Sequence, residues 1–381
     1  MCTRLKSQEG LRLWARGNER PANSGRPQCR SSIGGFLNMP RMAVRRFLGF
    51  CCLLLVLLSG HPCLGDNNPA TADMRSQYRR PGEIPFPDDN PYSEAKAALG
   101  RTLFFDPRLS GTGSHACSTC HLPWISWGDG LPRAIGWGGK PLPLRSPTLL
   151  NVAWISRFGW DGKFEDLESV AFTALLAPAN MRQTEPELIA RLQSAPEYVD
   201  RFRSAFGSDG INRRAIELAL ATFQRTIVSG EAPFDRWIEG DDQAIPEAAK
   251  RGFDLFNGKA NCAVCHTGWN FTEGAFYDIG LARDAELGRG GAFPKSVKLT
   301  HAFKVPTLRD VARRAPYMHD GSLADLDAVI AFYDSGGRDR PSRSDLIRPL
   351  GLTEREKADL RAFMETLTED PGAFQVPVLP R

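Results

Sequence analysis

Cys117-Ser118-Thr119-Cys120-His121 is the stretch of sequence that decides the fold. It has the pattern Cys-x-x-Cys-His, the attachment motif of a c-type haem. Two thiols at this spacing can bond both vinyl groups of one porphyrin, and the histidine can bind the iron from one side. The pattern recurs at residues 262–266, and every other cysteine lies before residue 64. The sequence predicts two covalently bound haems, with thioether anchors and proximal iron ligands at Cys117, Cys120, His121, Cys262, Cys265 and His266.

Other interpretations of the cysteines stay open at this point. A zinc site would bring both Cys-x-x-Cys pairs together, but Cys120 and Cys262 lie 142 residues apart, against about 15–20 in the usual ribbon or finger. A thioredoxin-like redox pair does not require a histidine after each second cysteine. Structural disulfides are a third alternative, because the chain has the features of an exported protein.

Residues 1–65 are expected to be a basic leader and a secretory signal peptide. Arg45 and Arg46 precede an apolar run from Phe47 to Leu58, and small residues follow, with a plausible cleavage point near Gly65. The run is too short for a permanent membrane span. This predicts a periplasmic location and no stable membrane span in the mature chain.

Charge gives no reason to expect nucleic-acid binding. The formal net charge of the 381-residue chain is +4, but residues 1–65 contain ten Lys/Arg and only two Asp/Glu, so the remaining chain carries −4. Such a balance is not that of a nucleic-acid-binding protein. The remaining length suffices for two domains of ordinary size.

The pattern after residue 90 is mainly that of helices. Residues 66–90 are proline-rich and predict an extended lead-in. Apolar residues at helical spacing predict helices over 93–105, 164–176, 185–192, 212–228 and 246–256. Thr353 and Glu356 form a capping box that predicts a further helix. Residues 229–246 are interpreted as a linker.

A faint internal repeat indicates a duplicated architecture. Gly100-x-x-Leu103-Phe104 precedes the first haem motif, and Gly252-x-x-Leu255-Phe256 precedes the second. We therefore expect a mainly α fold with two cytochrome c-like domains, each carrying one covalent haem. The boundaries predicted are 91–240 for the N-terminal domain and 241–381 for the C-terminal domain.

The chain offers few side chains near the first motif that could bind its iron as a sixth ligand, on the side opposite to His121. Between His121 and His266 there is no other histidine, and Met181 is the only methionine. His115 is too close to Cys117 to reach the far side easily. A c-type haem with an open position can bind peroxide or oxygen, whereas one with two strong ligands transfers electrons. The first haem is therefore predicted to be open, the alternative being closure by Met181 or by a residue of the other domain.

Several longer motifs carry a family resemblance. They are LFFDPRLSG at residues 103–111, WDGK at 160–163, FKVPTLR at 303–309 and APYMHDG at 315–321. In this order they are similar to the bacterial di-haem cytochrome c peroxidase/MauG family, over roughly residues 90–368. The resemblance implies a periplasmic protein with a peroxidatic N-terminal haem, an electron-relaying C-terminal haem and a calcium ion between them.

The resemblance also implies roles for two aromatic residues. Trp160 corresponds to the tryptophan that helps electrons or holes cross between the haems, although buried core tryptophans are common. Tyr333 stands where the peroxidases of the family have the methionine that binds the second iron, which resembles the MauG branch. Tyrosinate favours ferric and higher oxidation states. The alternatives are that Tyr333 is a core residue, since it shares a helical face with Ile330, or that Met318 is the ligand.

Other positions depart from the family pattern. The catalytic glutamate falls at Asn180, which can form hydrogen bonds but cannot transfer a proton at neutral pH. A water molecule, Glu165 or Glu168 would then have to take over the proton transfer, or peroxide turnover would be slow. The asparagine that usually helps hold calcium appears as Arg145.

These observations predict a periplasmic di-haem c-type oxidoreductase that reduces hydrogen peroxide. Its expected electron source is a small c-type cytochrome, a cupredoxin or the side chains of a protein substrate. The alternative is a di-haem electron carrier or sensor with little turnover, which the replacement of the family glutamate by Asn180 would permit.

Overall fold

The computed structural model describes residues 74–370 and 372–381. The predicted signal peptide and the beginning of the predicted lead-in lie outside these residues. Within the lead-in, residues 74–76 are helical and residues 79–93 have no helix or strand. No helix in this part of the chain has the length and apolar character that a membrane crossing requires.

The helix before the first haem motif forms as the sequence predicts. Helix α1, Glu94–Phe105, begins after Ser93, whose side chain accepts a hydrogen bond from the Lys96 backbone N–H at 3.2 Å. Its apolar face buries Leu99, Leu103 and Phe104. The helix ends at Asp106, immediately before a proline that cannot continue the helical hydrogen bonds. The next element is α2, Cys117–Cys120, the single turn that contains the first haem motif.

Most predicted helices are confirmed, with boundary differences of a few residues. The helices Pro196–Phe206 and Pro233–Ile238 were not predicted, and the second of these lies inside residues 229–246, so the linker interpretation is wrong there. Phe234 and Trp237 of this helix are buried, which explains why the segment folds. In chain order the remaining helices are α3 Leu167–Leu176, α4 Glu185–Gln193, α5 Pro196–Phe206, α6 Arg213–Arg225, α7 Pro233–Ile238, α8 Glu247–Asn257, α9 Leu326–Ser335 and α10 Glu354–Glu365.

Both glycines of the internal repeat lie where two helices approach each other closely. A Cβ atom on Gly100 of α1 would lie 1.9 Å from the carbonyl oxygen of Ala219 in α6. A Cβ atom on Gly252 of α8 would lie 2.0 Å from the carbonyl oxygen of Asp359 in α10. Both distances are far below van der Waals contact, so each glycine permits one close helix pair. The repeat therefore preserves two equivalent helix crossings, one before each haem motif.

The buried side chains form two hydrophobic clusters. Each end of the described chain packs against the cluster that is farther from it in sequence. The first cluster contains residues from Leu99 to Ile227, and the second contains residues from Phe234 to Leu367. Tyr78, near the beginning of the described chain, belongs to the second cluster. Phe374 and Leu379, near the end, pack against the first. The boundaries of the predicted domains stay predictions.

Sheet structure contributes little to the described residues. Strands β1, Phe276–Tyr277, and β2, Phe303–Lys304, pair antiparallel, with Phe276 opposite Lys304. The rest of the chain between the helices consists of turns, short 3₁₀ segments and irregular backbone. The prediction of a mainly helical fold is confirmed.

Candidate haem sites

The first motif places two thiols and one imidazole on a single helical turn. The His121 backbone N–H donates to the Cys117 carbonyl oxygen at 3.1 Å, which closes the turn. Burial raises the pKa of Cys117 to about 12 and also raises the pKa of Cys120. Thioredoxin-like cysteines require the opposite shift, toward a stable thiolate. The surroundings of the first pair therefore do not favour the thiolate that a thioredoxin-like centre uses.

His121 is oriented by a backbone carbonyl. Its Nδ1 lies 3.0 Å from the Trp127 carbonyl oxygen, and because a carbonyl can only accept, Nδ1 carries the proton. Burial lowers the pKa of His121, so the imidazole is neutral. The lone pair is then on Nε2. This is the tautomer that a metal-ligating histidine needs, with its other nitrogen held by a fixed acceptor.

The second motif repeats this arrangement. The His266 backbone N–H donates to the Cys262 carbonyl oxygen at 2.9 Å, and His266 Nδ1 lies 2.9 Å from the Phe271 carbonyl oxygen. Burial lowers the pKa of His266 to about 4. Burial also raises the pKa of Cys262 to about 12 and that of Cys265 to about 11. Both motifs thus present protonated thiols beside a neutral imidazole.

The two carbonyl groups that hold the histidines were not predicted from the sequence. Trp127 and Phe271 both have left-handed backbone, with φ of +59° and +50°. This conformation is uncommon for large side chains and persists only where packing enforces it. An aromatic residue five or six positions after each motif histidine is the sequence signal that could have found them.

The zinc and disulfide alternatives are not supported. The four motif cysteines are free thiols. Among residues 74–370 and 372–381, the three-residue group whose ligand atoms could surround a metal ion consists of Glu286, His319 and Asp320, and it contains no cysteine. Tetrahedral zinc sites of the Cys-x-x-Cys type need both pairs at one point.

A cavity adjoins the second motif. Its volume is about 270 Å³, near the lower end of the roughly 300–1,000 Å³ of an ordinary small-molecule site. The donor set beside it is two thiols and an imidazole, which are the groups that attach and bind a c-type haem. These residues therefore fit a c-type haem. The lining includes Cys262, Cys265, His266, Trp160, Met318 and Tyr333.

The structure brings both candidate sixth ligands to this cavity. Tyr333, on α9, lines it and belongs to neither hydrophobic cluster, so the core interpretation is not supported. Burial raises the pKa of the Tyr333 hydroxyl. Met318 also lines the cavity and has left-handed backbone, with φ of +73°. The choice of Tyr333 over Met318 stays a prediction.

Trp160 is held at the cavity by two backbone hydrogen bonds. Its indole Nε1–H donates to the Arg145 carbonyl oxygen at 3.0 Å. Its own carbonyl oxygen accepts from the Lys304 N–H at 2.8 Å. Trp160 lies outside both hydrophobic clusters, so it is not a core tryptophan. Trp160 is therefore held by hydrogen bonds to Arg145, which precedes the second motif in sequence, and to Lys304, which follows it.

Asn180 lies next to the loop that leads into the first motif. It is partly buried in the turn after α3, where its N–H donates to the Ala177 carbonyl oxygen at 3.0 Å. The neighbouring Met181 accepts a hydrogen bond from Gly111 through its carbonyl oxygen, and its side chain is buried in the first cluster. The turn and the motif loop are thus joined.

The two glutamates considered as replacements for the family acid are already engaged. Glu168 is buried and accepts hydrogen bonds from Arg225 at 2.7 and 3.0 Å and from Asn90 at 2.8 Å. Burial alone would raise the pKa of Glu168, but these hydrogen bonds outweigh it and lower the pKa. Glu165 is exposed and pairs with Arg157 at 2.7 Å. The ion pair with Arg225 disfavours protonation of Glu168, which argues against its use as a proton donor. The source of the proton stays a prediction.

The comparisons with known proteins agree with this geometry. The model of the family described as "Di-haem cytochrome c peroxidase" matches residues 94–243. The chain is 50% identical over 311 residues to the "Methylamine utilization protein MauG" of Methylorubrum extorquens, covering 81% of this chain and 88% of that protein. It belongs to the di-haem cytochrome c peroxidase/MauG family.

Two further relatives support the same assignment. The "Methylamine utilization protein MauG" of Methylophilus methylotrophus is 45% identical over 314 residues, covering 82% of this chain and 93% of that protein. A crystal structure of "a MauG-like protein associated with microbial copper homeostasis" is 33% identical with a TM-score of 0.71, covering 76% of this chain and 95% of that chain. As a member of the di-haem peroxidase/MauG family, this protein is an oxidoreductase with two haem cofactors.

The calcium ion that the family resemblance implies does not fit the residues present. Arg145, 7% exposed, donates from Nη2 to the Arg314 carbonyl oxygen at 2.9 Å. The Arg314 guanidinium donates to the Thr307 carbonyl oxygen. Calcium prefers several carboxylate and carbonyl oxygens, and two guanidiniums would repel a divalent cation. A calcium ion here stays a prediction of the family resemblance, and the two arginines argue against it.

Proposed function

We propose that this di-haem oxidoreductase works in the periplasm and reduces hydrogen peroxide at the first site, beside His121. The reaction consumes two electrons and two protons for each peroxide and forms two water molecules. The electrons would come from a small c-type cytochrome, a cupredoxin or the side chains of a protein substrate. When bound, a haem with an open sixth position supplies the site at which peroxide is reduced.

The observation that carries this proposal is the unequal supply of ligands at the two sites. Tyr333 and Met318 both line the cavity beside His266. Near the first motif, the methionine of the neighbouring turn, Met181, is packed into the first cluster, and the adjacent residue is Asn180. The second site is thus provided with a sixth ligand and suits electron transfer, whereas the first suits an exchangeable ligand.

The chain's own residues have distinct tasks in this proposal. Cys117, Cys120, Cys262 and Cys265 anchor the two porphyrins. The imidazoles of His121 and His266 bind from the proximal sides through Nε2. Asn180 donates a hydrogen bond toward the peroxide but moves no proton, so the protons arrive from solvent. The Trp160 indole, fixed by the Arg145 carbonyl oxygen, provides a stepping point for electrons between the sites.

The first experiment mixes the ferric protein with one equivalent of hydrogen peroxide. We expect a new optical spectrum within the mixing time, which decays when a reduced c-type cytochrome is added and oxidised. Trp160→Phe should slow the oxidation of the added cytochrome. Trp154→Phe is the matched control, because Trp154 packs against Trp269 and does not line the cavity. An unchanged spectrum and no cytochrome oxidation would reject peroxide reduction.

The second experiment addresses the ligand of the second site. Tyr333→Phe should change the low-spin electron paramagnetic resonance signal of the ferric protein, and Met318→Leu should leave it unchanged. The reverse result would assign the ligand to Met318. Both side chains line the same cavity, so the pair of variants controls for general disturbance of the site.

One observation favours a second function, that of an electron carrier or sensor. The family acid is replaced by Asn180, and Glu168 is neutralised by Arg225. A site without a positioned proton donor forfeits about 10²–10⁴-fold in rate. In a carrier, added reduced cytochrome would exchange electrons with the ferric protein in the absence of peroxide, and peroxide would not accelerate the reaction.

A further inference from the structure

The last ten residues of the chain cover the first hydrophobic cluster. The Phe374 ring stacks on Phe105, with ring centroids 5.5 Å apart and an interplanar angle of 26°. The Arg101 guanidinium lies 5.1 Å from the Phe374 ring centroid and donates to the Gln375 carbonyl oxygen. Arg108 donates to the Pro380 carbonyl oxygen. These contacts hold the tail, residues 372–381, at several points along its length.

The tail also touches the residue that orients His121. The Phe374 and Trp127 rings meet edge to face, with centroids 5.4 Å apart and an interplanar angle of 89°. Phe104 and Phe223 approach the same indole at 5.9 and 6.1 Å. Trp127 is only partly buried, so the tail supplies one of three rings that hold a side chain with left-handed backbone. Such a backbone conformation is maintained by its surroundings.

We infer that the tail positions the first proximal histidine, with Phe374 fixing Trp127 and the Trp127 carbonyl oxygen fixing His121. A hydrogen bond from Nδ1–H to a fixed carbonyl increases the basicity of the opposite nitrogen and sets the ring's orientation. A more basic imidazole stabilises ferric iron and lowers the reduction potential. The tail therefore tunes the first site from the far end of the chain. This inference relies on the proposed function only in taking His121 as an iron ligand.

The second site provides an internal reference. The Phe271 ring, which corresponds to Trp127, is 0% exposed and lies within about 6 Å of four other rings, none of them in the tail. Loss of the tail therefore leaves the hydrogen bond from His266 to Phe271 unaffected. An effect confined to the first site separates local positioning from a general loss of stability.

The experiment compares Phe374→Ala with Val378→Ala in the full-length holoprotein. Val378 is a tail residue that is 88% exposed, so it is the matched control. The readouts are the iron–histidine stretching mode of the ferrous protein in resonance Raman spectra and the midpoint potentials of both haems. Phe374→Ala should shift the stretching mode to lower wavenumber and raise the potential of the first haem alone. Phe374→Tyr should restore both values, because it keeps the ring.

Two results would overturn the inference. If Phe374→Ala leaves both the stretching mode and the first potential unchanged while haem content is normal, the tail is only a structural cover. If both potentials change together in Phe374→Ala, the effect is not local and positioning is rejected. A wild-type ferrous protein without any iron–histidine mode would instead remove His121 as the ligand, so the proposed function would fail with it.

Discussion

The two haem sites are built by the same local rule and supported by different surroundings. In each, a Cys-x-x-Cys-His turn places the histidine Nδ1 about 3 Å from the carbonyl oxygen of an aromatic residue with left-handed backbone. Around Phe271 the supporting rings are Tyr78, Phe234, Phe256 and Phe363, whereas around Trp127 one supporting ring comes from the tail. The two sites thus position the histidine in the same way, but the aromatic residue that holds the histidine is packed more tightly at the second site.

The sites also differ in the residues that lie around them. At the second site, Tyr333 and Met318 lie in the wall of the cavity. The first site is bordered by the turn containing Asn180, next to a methionine whose side chain is used in the core. A duplicated scaffold can therefore carry two chemistries, because the same histidine geometry is repeated at both sites while the surrounding residues come from different parts of the chain.

The largest expected effect tests the difference in rigidity. Phe271→Ala removes a fully buried ring from among four others and should lower the free energy of unfolding by about 3–5 kcal/mol. Trp127→Ala should cost less, because its ring is partly exposed. Denaturant unfolding of the holoproteins measures both changes. Equal losses in the two variants would mean that the surroundings do not differ in rigidity.

The next effect tests the division of chemistry. His121→Ala should reduce the rate of the reaction with peroxide by more than about a hundredfold, since loss of a supporting contact alone costs about 10–100-fold. His266→Ala should leave the first reaction with peroxide in place and impair oxidation of the donor. Stopped-flow spectroscopy with peroxide alone, and then with reduced cytochrome, separates the two steps. The opposite pattern would exchange the roles of the sites.

A smaller effect, and a gain, is expected at the distal turn. Asn180→Glu restores a carboxyl group that can transfer a proton, and it should raise the peroxide rate about 10–100-fold, within the range of general acid–base catalysis. Asn180→Gln is the matched control, because it lengthens the side chain without adding an acid. Steady-state rates at neutral pH provide the measurement. If both variants gain equally, side-chain length rather than proton transfer limits the reaction.

The last prediction is that removal of calcium has no effect on the wild-type protein. A calcium chelator should leave the optical spectrum and the unfolding midpoint of the wild-type protein unchanged, because the Arg145 guanidinium already occupies the Arg314 carbonyl oxygen. Arg145→Asn frees that oxygen and should make both properties sensitive to calcium. Metal analysis of the purified wild-type protein gives an independent check. One equivalent of tightly bound calcium in that protein would show that the arginine does not replace the cation.

Sequence patterns predicted what depends on neighbours along the chain. The haem motifs, the capping box at Thr353 and the paired glycines all act over a few residues or mark one close contact. The helix at residues 233–238 was missed because its six residues are too few for a periodic pattern, and its stability comes from burial. Local spacing therefore sufficed for the cysteines and histidines of the two motifs, but not for the carbonyl groups that hold the histidines.

Interactions between distant residues could not be predicted in the same way. The sequence gives no sign that Glu168 is paired with Arg225, which lies 57 positions away. The contact between Phe374 and Trp127 joins residues that are 247 positions apart in the sequence. Such pairings depend on the packing of whole helices, and no period in the sequence encodes them.

Each end of the described chain packs on the half of the protein that is farther from it in sequence, which has a consequence for cutting the chain into fragments. Tyr78 completes the ring cluster of the later half, and Phe374 completes that of the earlier half. If the chain were cut near residue 240, the earlier fragment would lack the Phe374 ring and the later fragment would lack the Tyr78 ring. The earlier haem site also lacks this ring until the chain has been synthesised as far as Phe374, 253 positions after His121.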